Sequence, residues 1–245
     1  VSLNCIEVIK KEIKKRNIKF SPLNNLIINR SYTTILNNKG QMIFGLANMD
    51  AYEKKIKILK IKLYLQKILI IDLNLSSKNI QELINKLYKN NFISICGTSS
   101  HKVHKIKNQL NKIHILILNK QESLNLTNKK NIMNALKYLI CKNNKLTILI
   151  TNGKNKTTGY HKGYIYFCLP PKIKIKNENG AGDSMSAVFI YFYFKLISFK
   201  ETLSKSIVAG SLHARGYNIV NKNKYIQKIN SISKTLTVNS KKYDG

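Results

Sequence analysis

Between residues 67 and 151, short apolar runs alternate with amphipathic segments, and few folds accommodate that pattern. The runs "KILIIDLNL" (67–75), "FISIC" (92–96), "IHILIL" (113–118) and "KLTILIT" (145–151) read as buried strands. Between them lie "SKNIQELINKLYKN" (77–90), a helix capped by Ser76 or Ser77, a second helix near 99–112, and "NIMNALKYLICKN" (131–143). Downstream, "SMSAVFIYFYFKLIS" (184–198) and "KETLSKSIVAGSLHARG" (200–216) read as two more helices. Residues 4–16 read as a leading helix with Cys5, Val8, Ile9 and Ile13 on one face. This alternation implies an α/β fold: a doubly wound, mainly parallel sheet with helices on both faces. Ligands of such sheets bind beyond the C-terminal strand ends, which here means just after Asp72, Cys96, Leu118 and Thr151. "SYTTIL" (31–36) and "QMIFGL" (41–46) flank the turn-forming "NNKG" and break the alternation, so they read as an appended β-hairpin flap.

A length of 245 residues suits one sizeable α/β domain or two small ones, and no repeat or Pro/Gly/Ser linker divides the chain. Cys5, Cys96, Cys141 and Cys168 lack CxxC or His-paired spacing and read as reduced thiols of a cytoplasmic protein. No charged-then-apolar leader opens the chain and no apolar run nears the length of a membrane span, so no membrane partner is expected. The net charge of +32 invites a nucleic-acid reading. Its texture argues otherwise: Arg16, Arg30 and Arg215 are the only arginines, and the lysines are spread among Asn and Ile along the whole chain. Compositional bias accounts for that spread, and no specific nucleic-acid partner is expected. His101, His104 and His114 specify no metal-ligand set. The Tyr/Phe run at 191–194 covers all faces of its helix and reads as core rather than as a platform for stacked bases.

The stretch "NENGAGDSMSAVF" (177–189) sets Gly180, Ala181 and Gly182 before Asp183 and a helix. Backbone N–H groups of such a turn can converge on a small anion, with the helix dipole adding positive potential. A carboxylate there can accept a proton from a substrate hydroxyl as that oxygen attacks a phosphoryl group. Alternatively, Asp183 caps the helix and the glycines make a tight turn. Two other phosphate motifs fail: "NGKNKTTG" has Asn155 where GxxxxGK[ST] needs a hydroxyl, and Met185 occupies the third glycine position of GxGxxG.

The same stretch resembles the C-terminal signature of the ribokinase-like (PfkB) carbohydrate and nucleoside kinases. "NKQE" (119–122) resembles the family's Asn-x-x-Glu motif and "TNG" (151–153) its Thr-x-Gly step, in the family's order and at strand ends. Within the family the resemblance runs to pseudouridine kinases. It is carried by "SYTTILNNKGQMIFGLANMDAYE" (31–53) as the lid, "IIDLNLS" (70–76) as an Asp-x-Asn-Leu strand end, and "TSSHKVHKIK" (98–107) as a Ser-x-x-Lys helix start. The resemblance implies transfer of the ATP γ-phosphoryl group to the 5′-hydroxyl of pseudouridine. Asp183 would be the base, and Gly180, Ala181 and Gly182 the anion hole. Asn119 and Glu122 would position Mg²⁺ through water, and Thr151 and Gly153 would line the nucleotide phosphates. His213 would lie near adenine, with core packing as the other reading. Lid hairpins of this type, here 31–47, often mediate dimerisation, which makes a homodimer a candidate assembly.

The resemblance also implies that the chain, read as one kinase domain over 1–245, is N-terminally incomplete: roughly the first 60–70 family residues have no counterpart, exposing a sheet edge and apolar surface. Asn48 stands where the lid usually carries Asp, and Glu178 and Asn179 where small or hydroxyl residues are common. Val188 and Lys156 replace glycines. Two alternatives accompany the pseudouridine reading. One is another sugar or nucleoside kinase of the family; the other is a degenerate, non-catalytic remnant that binds nucleotide or polyanions.

Overall fold

The computed structural model describes residues 3–19, 31–38, 42–48, 68–217 and 221–245. Among them, α1 (Leu3–Lys15) is followed by an antiparallel pair, β1 (Ser31–Leu36) and β2 (Met42–Asn48), that forms a sheet of its own. The main sheet runs in spatial order β3 (Ile68–Asp72), β4 (Phe92–Cys96), β5 (Ile115–Asn119), β6 (Thr147–Thr151), β7 (Thr157–His161), β8 (Tyr164–Cys168) and β9 (Val238–Lys242). Strands β3 to β6 are parallel, and β7 to β9 continue the sheet antiparallel. The helices are α2 (Ser77–Leu87), a 3₁₀ helix (Val103–Lys112), α3 (Lys120–Thr127), α4 (Ile132–Lys142), α5 (Ala181–Tyr193), α6 (Phe199–Ala214) and α7 (Lys222–Ser233).

Both faces of the sheet are covered, which is why its central strands are apolar throughout. Leu116, Leu118, Ile148 and Ile150 pack on one side with Ile80 and Ile84 of α2 and Leu136 and Leu139 of α4. Ile115, Ile117 and Leu149 face the other side, against Phe189 of α5 and Leu203 and Ile207 of α6. Each fully buried Ile, Leu or Phe contributes about 1.5–3 kcal/mol relative to an exposed one. At β3 the cover thins: Ile70 is 56% exposed and Ile68 is also exposed, beside Tyr191 of α5 and Phe194 just after it. Among the described residues, β3 stands at the end of the strand order. In the Tyr/Phe run, Phe192 is buried and Tyr193 and Phe194 pack against the core, while Tyr191 is exposed.

Several elements differ from their sequence reading. Strand β3 stops at Asp72 rather than 75 because Asp72 Oδ1 accepts the Asn74 N–H (3.0 Å), folding the chain into an Asx turn. Ser76, not Ser77, caps α2, its hydroxyl accepting from the Asn79 N–H. The segment expected as a helix near 99–112 is a 3₁₀ helix over Val103–Lys112 that begins without a side-chain cap. The β7–β8 hairpin, β9, α3 and α7 were not expected. The hairpin had a signal: Lys162 and Gly163 both take positive φ in a two-residue loop, with β-branched and aromatic residues on either side. Strand β9 is polar and carries Lys241 and Lys242 along a sheet edge, so apolar patterning does not mark it. Among the described residues no helix is long and apolar enough to cross a membrane.

Candidate active site

Strand register builds the site. Asp72 pairs with Cys96, and Asn119 with Thr151, so the C-terminal ends of the four parallel strands form one row. Asp72, Cys96 and Thr151 thus sit where the alternation predicted ligands to bind. Thr151 is half-buried at the end of β6, and Gly153, at φ +56°, turns the chain beyond it with open space around its Cα.

Above this row lies the N-terminus of α5. The helix begins at Ala181, three residues before the sequence boundary, so Ala181, Gly182 and Asp183 form its first turn. Its N-cap is Gly180, in the left-handed region at φ +78°, and no side chain caps the helix. The capping reading of Asp183 is thereby corrected: Asp183 is the third helical residue and stands exposed. The Ala181 N–H is bonded to Glu178 O, and the first i→i−4 bond runs from Ser184 N–H to Gly180 O. The amides of Gly182 and Asp183 lie before that bond and point out of the helix end, toward the space a small anion would occupy. Nothing stands within 4 Å of where a Cβ on Gly182 would project.

Asn119 and Glu122 form a reciprocal capping box on α3. The Asn119 side chain accepts from the Glu122 N–H (2.9 Å), and Glu122 Oε2 accepts from the Asn119 N–H (2.7 Å). Glu122 is 4% exposed. Burial pushes its carboxyl above the ordinary carboxylate range; the Asn119 N–H draws it down, and the charge of Asp183 pushes it up again. The two acids therefore lie close enough for their charges to interact. Cys96 lies among them: burial pushes its thiol up to about 11, a hydrogen bond with Ser186 opposes this, and Asp183, Asp72 and Glu122 add to it. A chain this basic has gathered three of its few carboxylates around one strand end.

Sequence reading missed Gly97, whose missing side chain makes room for Glu122: a Cβ there would overlap Glu122 Oε2. It also missed Ser186, and it marked Cys96 only as a strand end. A glycine directly after an apolar strand was the available signal for Gly97. The two motifs at 70–76 and 98–107 touch, since Lys102 Nζ donates to Asn74 Oδ1 (2.7 Å). Nearby, Lys105 Nζ donates to the carbonyls of Leu73 and Leu75.

His213 lies in the last turn of α6. Its Nε2–H donates to Asn179 O (2.8 Å), beside the anion turn. Gly210 lets α5 and α6 close together, because a Cβ there would come within 3.1 Å of Ala181 O and 3.2 Å of Met185 Cβ. Strand register sets Asn119 beside Thr151, the charge of Asp183 reaches Glu122, and His213 holds the turn that carries Gly180, Ala181, Gly182 and Asp183, while Gly153 follows Thr151 beyond the strand end.

Known structures share this arrangement of strands and helices. A carbohydrate kinase from Agrobacterium tumefaciens is similar with a TM-score of 0.72 and 21% identity, over 96% of this chain and 78% of that one. Adenosine kinase from Schistosoma mansoni, solved with 2-fluoroadenosine, has a TM-score of 0.72 and 14% identity, over 89% of this chain and 73% of that one. Phosphofructokinase-2 from Escherichia coli, solved with substrates and products, has a TM-score of 0.58 and 19% identity, over 68% and 57%. No curated protein sequence matches the chain significantly. The sequence itself matches the profile of the pfkB family carbohydrate kinases over residues 7–218, a span that includes Asn119, Glu122, Thr151, Gly153, Gly180–Asp183 and His213. That match, on a fold shared with sugar and nucleoside kinases, establishes that the chain belongs to the pfkB family of ATP-dependent kinases.

Proposed function

We propose that this chain phosphorylates the 5′-hydroxyl of pseudouridine with ATP, giving pseudouridine 5′-phosphate. The observation that carries the kinase chemistry is the first turn of α5: exposed Asp183 stands beside amides that precede the first helical hydrogen bond. Asp183 takes the proton of the attacking hydroxyl, and the amides of Gly182 and Asp183 hold the equatorial oxygens of the transferring phosphoryl group. Thr151 and Gly153 line the remaining phosphates. The pseudouridine assignment is supported by the motifs at 31–53, 70–76 and 98–107.

The donor set suits Mg²⁺ held as it usually is, by one or two carboxylates, water and phosphate oxygens. Among the described residues no three His, Cys, Asp or Glu side chains enclose a metal by themselves. Glu122 and Asn119 would hold the ion through its waters, and Mg²⁺ bound there would supply neutralisation of the charge on the phosphate oxygens. Ile35, Phe44 and Leu46, exposed on the β1–β2 hairpin, support a homodimer through that hairpin, which sedimentation would test.

The test is ATP consumption by the chain with Mg²⁺ and pseudouridine, uridine, ribose or no acceptor, at moderate salt. Turnover that depends on pseudouridine supports the assignment. A preference for another acceptor reassigns the substrate within the family. A folded chain that binds polyanions in a salt-sensitive way without turnover is the non-catalytic remnant.

A further inference from the structure

Asn179 is held at three points. Its N–H donates to Asn177 Oδ1 (2.9 Å), its carbonyl accepts from His213 Nε2 (2.8 Å), and its side-chain Nδ2 donates to Thr34 Oγ1 (3.0 Å). The last bond crosses 145 residues of sequence, from the hairpin to the residue immediately before Gly180. Thr34 is half-buried, whereas Thr33 and Ile35 on either side are exposed, so strand alternation turns Thr34 toward the anion turn and its neighbours away. Among the described residues the hairpin has no strand pairing with the main sheet.

We propose that Asn179 and Thr34 are positioning residues: their hydrogen bond latches the β1–β2 hairpin onto the anion turn, so seating of the hairpin and ordering of Gly180–Asp183 are one event. The coupling passes through backbone. Thr34 fixes the Asn179 side chain, Asn179 sets the start of the turn, and His213 holds the carbonyl from behind. A hairpin that lifts away removes one of the three restraints on the residue that begins the turn. The consequence for phosphoryl transfer rests on the kinase reading above; the latch itself does not.

Hydrogen–deuterium exchange on the full chain separates the two. Asn179→Ala and Thr34→Ala are each expected to speed exchange about fivefold at the hairpin amides and also at Ala181 and Ser184, the turn amides bonded to Glu178 O and Gly180 O, the change that one hydrogen bond of ordinary net strength supports. The double variant should exchange no faster than either single one, and Thr34→Ser, which keeps the hydroxyl, should restore protection at both places. If the turn amides stay unchanged in Thr34→Ala, or the two single effects add, the latch is overturned whatever the activity. If exchange is coupled but the wild-type chain turns over no ATP, the latch stands and the kinase reading falls. If the chain is active, Thr34→Ala should raise KM for the acceptor and lower kcat, and Thr34→Ser should recover both.

Discussion

The imidazole of His213 fills the space that a side chain at position 180 would need: a Cβ there would lie 2.9 Å from His213 Nε2. Gly180 also sits at φ +78°, so two independent constraints select glycine. Gly180→Ala should destabilise the chain by at least the ~1–2 kcal/mol of a left-handed L-residue, and should displace the ring. Urea unfolding gives the first quantity, and the His213 imidazole NMR signals report the second.

Asp183→Asn should lower turnover by roughly 10²–10⁴-fold, the contribution of a positioned general base. Asp183 is exposed and caps nothing, so unfolding stability should change by no more than about 0.5 kcal/mol. The Glu122 carboxyl should titrate lower in this variant, because the Asp183 charge raises it in the wild type. Carboxyl ¹³C shifts followed against pH would show that movement. A large loss of stability would mean that Asp183 is structural.

Asn119→Ala removes one arm of the capping box on α3 and should cost ~0.5–2 kcal/mol. Gly97→Ala acts on the same site from the opposite side, by pushing Glu122 out of its place. Denaturant melts of the two single variants and the double variant should be non-additive, since both disturb Glu122.

Stability should fall in mild acid. His114 Nδ1 accepts the Ile93 N–H (3.0 Å), its ring stacks on Phe92, and burial lowers its pKa. His161, stacked on Phe199, is lowered by burial first and by Lys162 second. A histidine lowered in the folded state leaves the unfolded chain binding more protons, so stability rises with pH across the window. The contribution is complete above the ordinary value near 6.5. It should shrink as pH drops below that value and level off beneath the lowered folded pKa. Melting temperatures between pH 8 and pH 5 test this, with His114→Asn expected to flatten part of the slope.

Local sequence determined much of this protein. The apolar runs at 92–96 and 145–151 became β4 and β6 because a strand covered on both faces needs nothing beyond its own residues to be recognised. Gly180–Asp183 was legible because turn chemistry acts over three or four residues, whereas Asn119–Glu122 stood out only by its resemblance to a family motif. Other features depend on partners distant in the chain, and only the tertiary structure decided them. Polar β9 is a strand because β8 offers it hydrogen bonds, and α7 is anchored by Tyr225 and Ile229 against α6. Gly97 matters only because Glu122 folds over it, and His213 only because α6 returns behind the anion turn. The Asn179–Thr34 bond belongs to the same class: two polar residues 145 positions apart carry no mutual signal until packing brings them to 3.0 Å.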